Sequence, residues 1–535
     1  MSQGTSQGFF NAADYFVDRN VRQGRSQKVA VYTEHRNYTY KDIQKMTNKS
    51  ANTLRELGVG VDDRILIALL DVPQFYAVFW GAMKIGAVPI PINTTFTAEE
   101  YEYFLNDSRA KLFVLSEQLV PVIAHFKGNL PYLRDLSVIS ETEGAYAPFR
   151  QKYRHAPSEV KTELTCQDDV GFWLYSSGST GLPKAAIHSH YDMVVAAEGF
   201  GQGVLDLTEN DILFSGARLF HAYGLGNSCY LPFGVGASVI LHSAAPTPEN
   251  VLPLIERFRP TVFFDIPTHY VEMLEYLEKG DKQQGTKPDP QEPHAFSSVR
   301  ICISAGEALP PELYHRWKAR FGIDILDGLG TSELLHIFIC NLPGDVRPGS
   351  SGKPVPGYEL KLVDDAGQEV SRGEIGTLLV KGGSAAQQYW RGREKTLATM
   401  QGEWINTGDK YYEDADGYFW CAGRGDDMLK VGGSWVSPVE VENCILEHAA
   451  VREVAVVGKA DEKSLIKPKA FVVLKEGQVP SADLEKDIKQ WVLERLAQDK
   501  CPRWVEFLKE LPKSATAKIQ RFKLRDEYKA VIGKS

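Results

Sequence analysis

The sequence predicts an α/β fold in two domains: a large N-terminal domain of stacked, mostly parallel sheets with flanking helices and a β-rich subdomain, then a small α+β C-terminal domain. Three observations carry this. Short apolar runs alternate with longer helical patterns, the texture of parallel strands joined by crossover helices. Between Gly344 and Gly382 the chain changes to short strand-like runs separated by Gly and Pro. A compact helix and strand series follows Asp426.

At 535 residues the chain exceeds what one hydrophobic core supports. In order, Arg64 to Leu70 reads as a strand and Pro73 to Ile85 as the helix after it; Thr261 to Ile266 and Pro267 to Glu278 repeat the pattern. The apolar stretch from Arg64 to Ile92 is interrupted by Asp71, Pro73 and Lys84, too short between charges to span a bilayer, and is read as core. Gly280 to His294, with its Gln, Lys, Pro and Asp, reads as an exposed loop. The β-rich subdomain, about 344–425, closes a large domain of residues 1–425. Residues 426–535 then supply helices at Pro438 to His448 and Ala482 to Ala497 and strands at Val451 to Gly458 and Ala470 to Leu474, within the size range of a small domain.

Composition excludes some functions. With 69 acidic and 60 basic side chains the net charge is -9, which disfavours general attraction to nucleic acid or an anionic membrane. Any anionic ligand needs a local site. The seven cysteines are odd in number, dispersed and without a C-x-x-C pair, which argues against a disulfide framework and a zinc site and for a reducing cytoplasm. The start lacks a basic patch followed by an apolar run, so no secretory signal is expected. Oligomeric state is not readable, since no heptad or symmetric pattern appears.

The densest chemical signal is Tyr175-Ser176-Ser177-Gly178-Ser179-Thr180-Gly181-Leu182-Pro183-Lys184, just after the apolar run Val170 to Leu174. Glycines let backbone N–H groups approach phosphate oxygens, while the hydroxyls of Ser177, Ser179 and Thr180 and one ammonium neutralise charge. The spacing differs from Gly-x-x-x-x-Gly-Lys-Ser/Thr, so a P-loop kinase reading fails. Alone, the segment reads equally well as a Ser/Gly turn with an incidental lysine.

This loop resembles the signature of the adenylate-forming superfamily, which contains acyl-CoA synthetases, luciferases and peptide-synthetase adenylation domains. Four further segments are similar to that family in type, order and separation: Gly328 to Glu333, Thr407-Gly408-Asp409, Gly423 to Lys430, and Leu511 to Arg521. Singly, Asp409 would be a turn residue, Glu333 a helix cap and Lys518 one solvated charge among several. Their joint occurrence in order reverses those odds.

The resemblance implies an AMP-forming acid–thiol ligase that uses ATP and Mg²⁺. Lys184 and the loop residues Ser177, Gly178, Ser179, Thr180 and Gly181 would handle phosphates. Glu333 would hold Mg²⁺ and Thr331 would donate to the α-phosphate. Asp409 would accept the ribose hydroxyls with Arg424 in support, and Asp327 with Gly306, Glu307, Ala308 and Gly328 would frame the adenine. Lys518 would be the catalytic lysine, carried by the small, mobile C-terminal domain and stabilising charge as the acyl-phosphate bond forms. Ala185 and Ala517 stand where the family usually has glycine, and Leu329 where many relatives carry an aromatic against the adenine.

The stretch Leu219 to Asn227, with Gly330 to Phe338, is similar to the benzoate-CoA ligase branch. That implies a short acyl pocket lined by Ala222, Tyr223, Gly224, Leu334 and His336, suited to benzoate, 2-aminobenzoate (anthranilate) or a hydroxybenzoate. Phe220-His221 offers no acidic anchor for an α-ammonium, so an α-amino acid is not expected. The acceptor is expected to be coenzyme A, because no carrier domain follows Lys518; Asp426 would be the hinge, and Lys430, Gly432 and Gly433 would pass close to the pantetheine arm. The alternatives are an aryl acid adenylating enzyme that loads a carrier protein and a non-catalytic nucleotide-binding protein.

Overall fold

The structure is a computed structural model and describes residues 8–139, 148–176, 183–284, 294–431, 434–462, 465–513 and 519–525. A nine-stranded sheet runs in the order Lys353–Pro354, Ile337–Cys340, Ile325–Gly330, Ile301–Ala305, Val262–Asp265, Ile212–Ser215, Ser238–Ile240, Val29–Tyr32 and Asn37–Thr39. Its six inner strands are parallel, and antiparallel strands close it at both sides. A second, all-parallel sheet joins Val88–Pro91, Arg64–Ala68, Leu112–Ser116 and Asp135–Ile139. The expected large domain of mostly parallel sheets is therefore present.

Local chemistry explains where elements begin. Helix Tyr40–Glu56 starts at a Thr39 capping box with Asp42, and Ala98–Ser108 at the same device built from Thr97 and Glu100. Helix Pro73–Lys84 starts on proline and is buried on every face between the two parallel sheets' cores. Its Lys84 reaches Asp18 at 2.6 Å and Asn48 at 2.6 Å, which satisfies a buried ammonium. No helix among the described residues is long and apolar enough to cross a membrane.

Two antiparallel sheets complete the chain up to Arg424. One pairs Gln388–Tyr389 with Lys184–Ser189 and that strand with Val170–Ser176. The other contains Tyr358–Val363, Gly376–Gly382, Trp404–Glu413, Met400–Gln401 and Phe419–Arg424, the β-rich segment read from its glycines and prolines. Beyond it, Val451–Ala460, Ile466–Leu474 and Trp504–Leu508 form a three-stranded sheet whose core includes helices Pro438–Leu446 and Ala482–Leu493. One element differs from the sequence reading: the helix from Pro267 runs on to Gln284, past Gly280, because Lys282, Gln283 and Gln284 favour helix strongly enough to carry it into the segment read as loop.

Candidate active site

The carboxyl ends of the parallel strands form the site floor, as the general rule for open α/β sheets requires. In register, Asp265, Ser304 and Asp327 lie abreast on three neighbouring strands. All three are buried, and Asp265 Oδ2, Ser304 Oγ and Asp327 Oδ1 have no hydrogen-bond partner among the described residues. Burial pushes the Asp327 carboxyl well above the usual carboxylate range. Gly306, at φ 95°, turns the chain beside this row into Glu307 and Ala308.

The hairpin Val170–Ser176 and Lys184–Ser189 closes with Ser176 opposite Lys184, so these two residues of the phosphate-loop motif face each other across its base. Ser177, Gly178, Ser179, Thr180 and Gly181 lie outside the described residues. Lys184 Nζ donates to Tyr389 Oη at 2.6 Å, and Tyr389 Oη donates to Glu333 Oε1 at 2.6 Å. Ser176 Oγ donates to the same carboxylate oxygen at 3.4 Å, and Lys184 stands 3.5 Å from it. Burial pushes the Glu333 carboxyl up, yet the Lys184 charge and the Tyr389 hydrogen bond outweigh it and hold it below the usual range.

Glu333 is not a helix cap. Thr331 is extended and opens only a 3-10 turn, Ser332–Leu334, with no side-chain cap hydrogen bond. Its hydroxyl is buried and has no hydrogen-bond partner among the described residues, which suits a donor kept for a ligand oxygen. Gly330 is required before it: a Cβ there would stand 2.6 Å from the His336 carbonyl oxygen.

No group of three or more His, Cys, Asp or Glu side chains among the described residues could hold a metal by itself. A divalent ion at Glu333 would therefore share one carboxylate with nucleotide phosphates and water, which fits Mg²⁺. The unpartnered Thr331 hydroxyl beside that carboxylate is consistent with such a polar ligand.

Asp409 and Arg424 are cross-strand partners, and Arg424 donates to Asp409 Oδ1 at 2.9 Å and to the Thr407 carbonyl oxygen at 3.1 Å. Gly408, at φ 74°, makes the turn that brings Asp409 under the guanidinium. Lys518, Gly432 and Gly433 lie outside the described residues, whereas Asp426 and Lys430 are exposed. The amide of Ile519 donates to Glu307 Oε1 at 3.0 Å, so the C-terminal chain reaches the edge of the floor.

The residues expected to line the acyl pocket converge. Asp71 accepts from the Leu219 amide at 3.2 Å, and Arg218 donates to the His242 carbonyl oxygen at 2.7 Å; together they fix the turn into helix Ala222–Leu225. A Cβ on Gly224 would overlap the Arg218 carbonyl, so that glycine is needed for the close approach. The Tyr223 and His336 rings stand 5.7 Å apart, with Leu334 buried nearby and Ala222 packed against the same core. Tyr223 spends its proton on the Ile303 carbonyl oxygen at 3.1 Å.

His336 is buried, 5.0 Å from the Phe200 ring, and burial pushes its imidazole down to about 3. Asn227 donates to Ser215 at 3.3 Å and so presents its carbonyl oxygen to His336 Nε2 at 3.1 Å. The proton is then on Nε2, and Nδ1, without a hydrogen-bond partner among the described residues, is left as an acceptor.

Sequence reasoning missed Tyr389, His188 and Phe200, and it gave no role of their own to Ser176 and Asn227, which stand inside the segments it singled out. His188 Nε2 is 2.8 Å from the Ser332 carbonyl oxygen and its Nδ1 is 2.8 Å from Asp192, so it ties the strand after the phosphate loop to the turn carrying Glu333. For Tyr389, Ser176 and His188 the missing signal was strand register, which local motifs do not encode.

Comparison with known proteins agrees with this geometry. Residues 17–390 match the family model described as AMP-binding enzyme, and residues 440–518 match the AMP-binding enzyme C-terminal domain. The chain is 45% identical over 524 residues to the benzoate–CoA ligase of Thauera aromatica, covering 96% of each chain. It is 41% identical to the 4-hydroxybenzoate–CoA/benzoate–CoA ligase of Rhodopseudomonas palustris, over 97% of this chain and 94% of that one. The solved anthranilate CoA ligase AuaEII in complex with anthranoyl-AMP superposes with a TM-score of 0.90 at 45% identity, covering 96% of both chains.

Proposed function

The chain belongs to the AMP-binding enzyme family, and from that premise we propose that it is an ATP-dependent aryl-CoA ligase. It activates an aromatic carboxylic acid as an aryl-AMP and passes the acyl group to coenzyme A. The observation that carries this is likeness, over nearly the whole chain, to ligases that act on benzoate, hydroxybenzoate and anthranilate.

The acid carboxylate attacks the α-phosphorus of ATP and pyrophosphate leaves; the thiol sulfur then attacks the acyl carbon, the bond to AMP breaks and the thiol proton is released. Charge gathers on the phosphates in the first step, and the site meets it with the Lys184 ammonium and the Thr331 hydroxyl. Asp409 holds the ribose with Arg424 fixing its carboxylate, and Asp327 lies at the adenine. Mg²⁺ at Glu333, when bound, supplies positive charge to the phosphate oxygens. Lys518, on a C-terminal domain that pivots at Asp426, serves the first step, and Lys430, Gly432 and Gly433 serve the second.

Within the benzoates, 2-aminobenzoate and hydroxybenzoates carry a ring substituent with a hydrogen to donate. His336 Nδ1, without a hydrogen-bond partner among the described residues, is an acceptor available to it. An aniline nitrogen is neutral near pH 7 and needs no carboxylate partner.

Pyrophosphate release is to be measured with benzoate, aminobenzoates, hydroxybenzoates, cinnamates and short fatty acids, each with and without CoA. The reading expects the benzoates to lead and CoA to yield a thioester. Faster turnover of fatty acids would remove the pocket assignment, and acid-dependent AMP formation without thioester would favour a carrier protein as acceptor.

A further inference from the structure

We propose that Tyr389 is a positioning residue of the adenylation site: its hydroxyl is a spacer that keeps Lys184 and Glu333 from closing into a contact ion pair. Each partner thereby stays available to the metal-nucleotide. The inference rests on the ligase reading for what the site binds, and on the geometry of three side chains for the rest.

Lys184 Nζ and Glu333 Oε1 are 3.5 Å apart, while the Tyr389 hydroxyl is 2.6 Å from each. An ammonium only donates and a carboxylate only accepts, so the single hydroxyl proton must point at Glu333 and an ammonium proton at the hydroxyl. A direct ammonium–carboxylate contact closes to about 2.8 Å. The hydroxyl, hydrogen-bonded to both from the side of the gap, bridges the pair and takes the place of the direct contact.

Tyr389 is built to stay there. It is 2% exposed, pairs with Ala186 on the strand that carries Lys184, and packs against Ala186 and Ala386. Its amide donates to Thr396 Oγ1 at 3.0 Å. Lys184, Ala186 and the paired Tyr389 share one face of that sheet, so hydroxyl and ammonium are set by one register.

With the oxygen removed, the two charges are free to meet where their side chains are only 24% and 13% exposed, and where water screens them little. A closed pair competes twice, occupying the ammonium that phosphate needs and the carboxylate that a divalent ion needs. Tyr389→Phe deletes one atom from a ring that stays packed, so the fold is retained.

The test is a double-mutant cycle read as Mn²⁺ affinity, by electron paramagnetic resonance, in saturating α,β-methylene-ATP. Tyr389→Phe should weaken Mn²⁺ binding about tenfold when Lys184 is present, and less than twofold when Lys184→Met has removed the competing cation. Unchanged binding in Tyr389→Phe would overturn the proposal. So would an equal loss in both backgrounds, which would mean that the hydroxyl only orients Glu333. The assay contains neither acid nor thiol, so absence of aryl-CoA formation would count against the ligase reading and leave this result to be judged separately.

Discussion

The His188 imidazole stands 2.8 Å from the carbonyl oxygen of Ser332, and its other nitrogen stands 2.8 Å from the Asp192 carboxylate, which also accepts from the Ser189 amide at 3.1 Å. Its ring is stacked on Phe172 at 5.2 Å. The residue therefore couples the strand after the phosphate-loop motif to the turn carrying Glu333, the two segments proposed to hold phosphate. His188→Leu would leave a buried carboxylate and a carbonyl short of a donor, a cost of about 1–3 kcal/mol each. We expect a fall of several degrees in Tm and a first half-reaction, followed as ATP–pyrophosphate exchange, slowed more than tenfold. Full exchange in a destabilised variant would mean that His188 serves stability alone.

Asp409 is buried under Arg424, and Asp409→Ala removes both the proposed ligand for sugar hydroxyls and the guanidinium's partner. Hydrogen bonds to a charged group contribute about 1.5–3 kcal/mol, so KM for ATP should rise ten- to a hundredfold. KM for the aromatic acid should move little, because Tyr223 and His336 are held by other elements. Equal increases for both substrates would count against the ribose assignment.

Gly226 opens the π turn Gly226–Tyr230, and a Cβ there would overlap the His336 imidazole and stand 2.7 Å from the Tyr230 hydroxyl. Gly226→Ala therefore displaces the His336 ring or the backbone, at about 1–3 kcal/mol for overpacking. We expect KM for benzoates to rise at least tenfold, with nucleotide binding, measured calorimetrically, unchanged. A variant with parental benzoate kinetics would place His336 outside the acyl pocket.

The parts of the molecule that were legible in the sequence are those encoded locally. Strand Arg64–Ala68 and helix Pro73–Lys84 fell where apolar runs and a proline start put them. Thr331, Glu333, Asp409 and Arg424 stood out because their short segments resemble family motifs in the same order, although Asp409 and Glu333 taken singly read as a turn residue and a helix cap. Tyr389 did not, because its place beside Lys184, 205 positions away, comes from its strand pairing with Ala186, and an isolated Tyr-Trp pair carries no trace of that register. The Asn227 orientation was equally hidden, since it depends on the π turn and on Ser215 from another strand.

Two buried histidines make stability depend on pH in a definite direction. Burial pushes His190 down to about 4 and His336 to about 3, from an ordinary 6.5. As pH falls through 6.5 the unfolded chain takes up these protons and the folded chain does not, so stability present above 6.5 is lost on acidification. Asp71, raised to about 6 by burial, acts in the opposite sense below that pH. The measurement is therefore a difference: unfolding free energy against pH for the parent and for His190→Asn. The parent should be steeper by about one proton between pH 6 and 4, and identical slopes would refute the assignment.

Arg452, on strand Val451–Ala460, donates to Glu275 of helix Pro267–Gln284 at 3.0 Å, and this pair links the C-terminal segment to the large parallel-sheet region. Both side chains are partly exposed, at 38% and 28%, so the pair contributes about 0.2–1 kcal/mol, enough to bias a moving unit without locking it. If the C-terminal domain pivots at Asp426 as proposed, Glu275→Arg should disfavour the arrangement seen here, in which Ile519 meets Glu307. The expected result is a two- to fivefold slower ATP–pyrophosphate exchange, with thioester formation from supplied aryl-AMP unaffected. Reversing the partner as well, in Arg452→Glu/Glu275→Arg, should restore exchange. A double variant as slow as the single one would show that the contact does not hold the two units together, and equal slowing of both half-reactions would count against alternation between two arrangements.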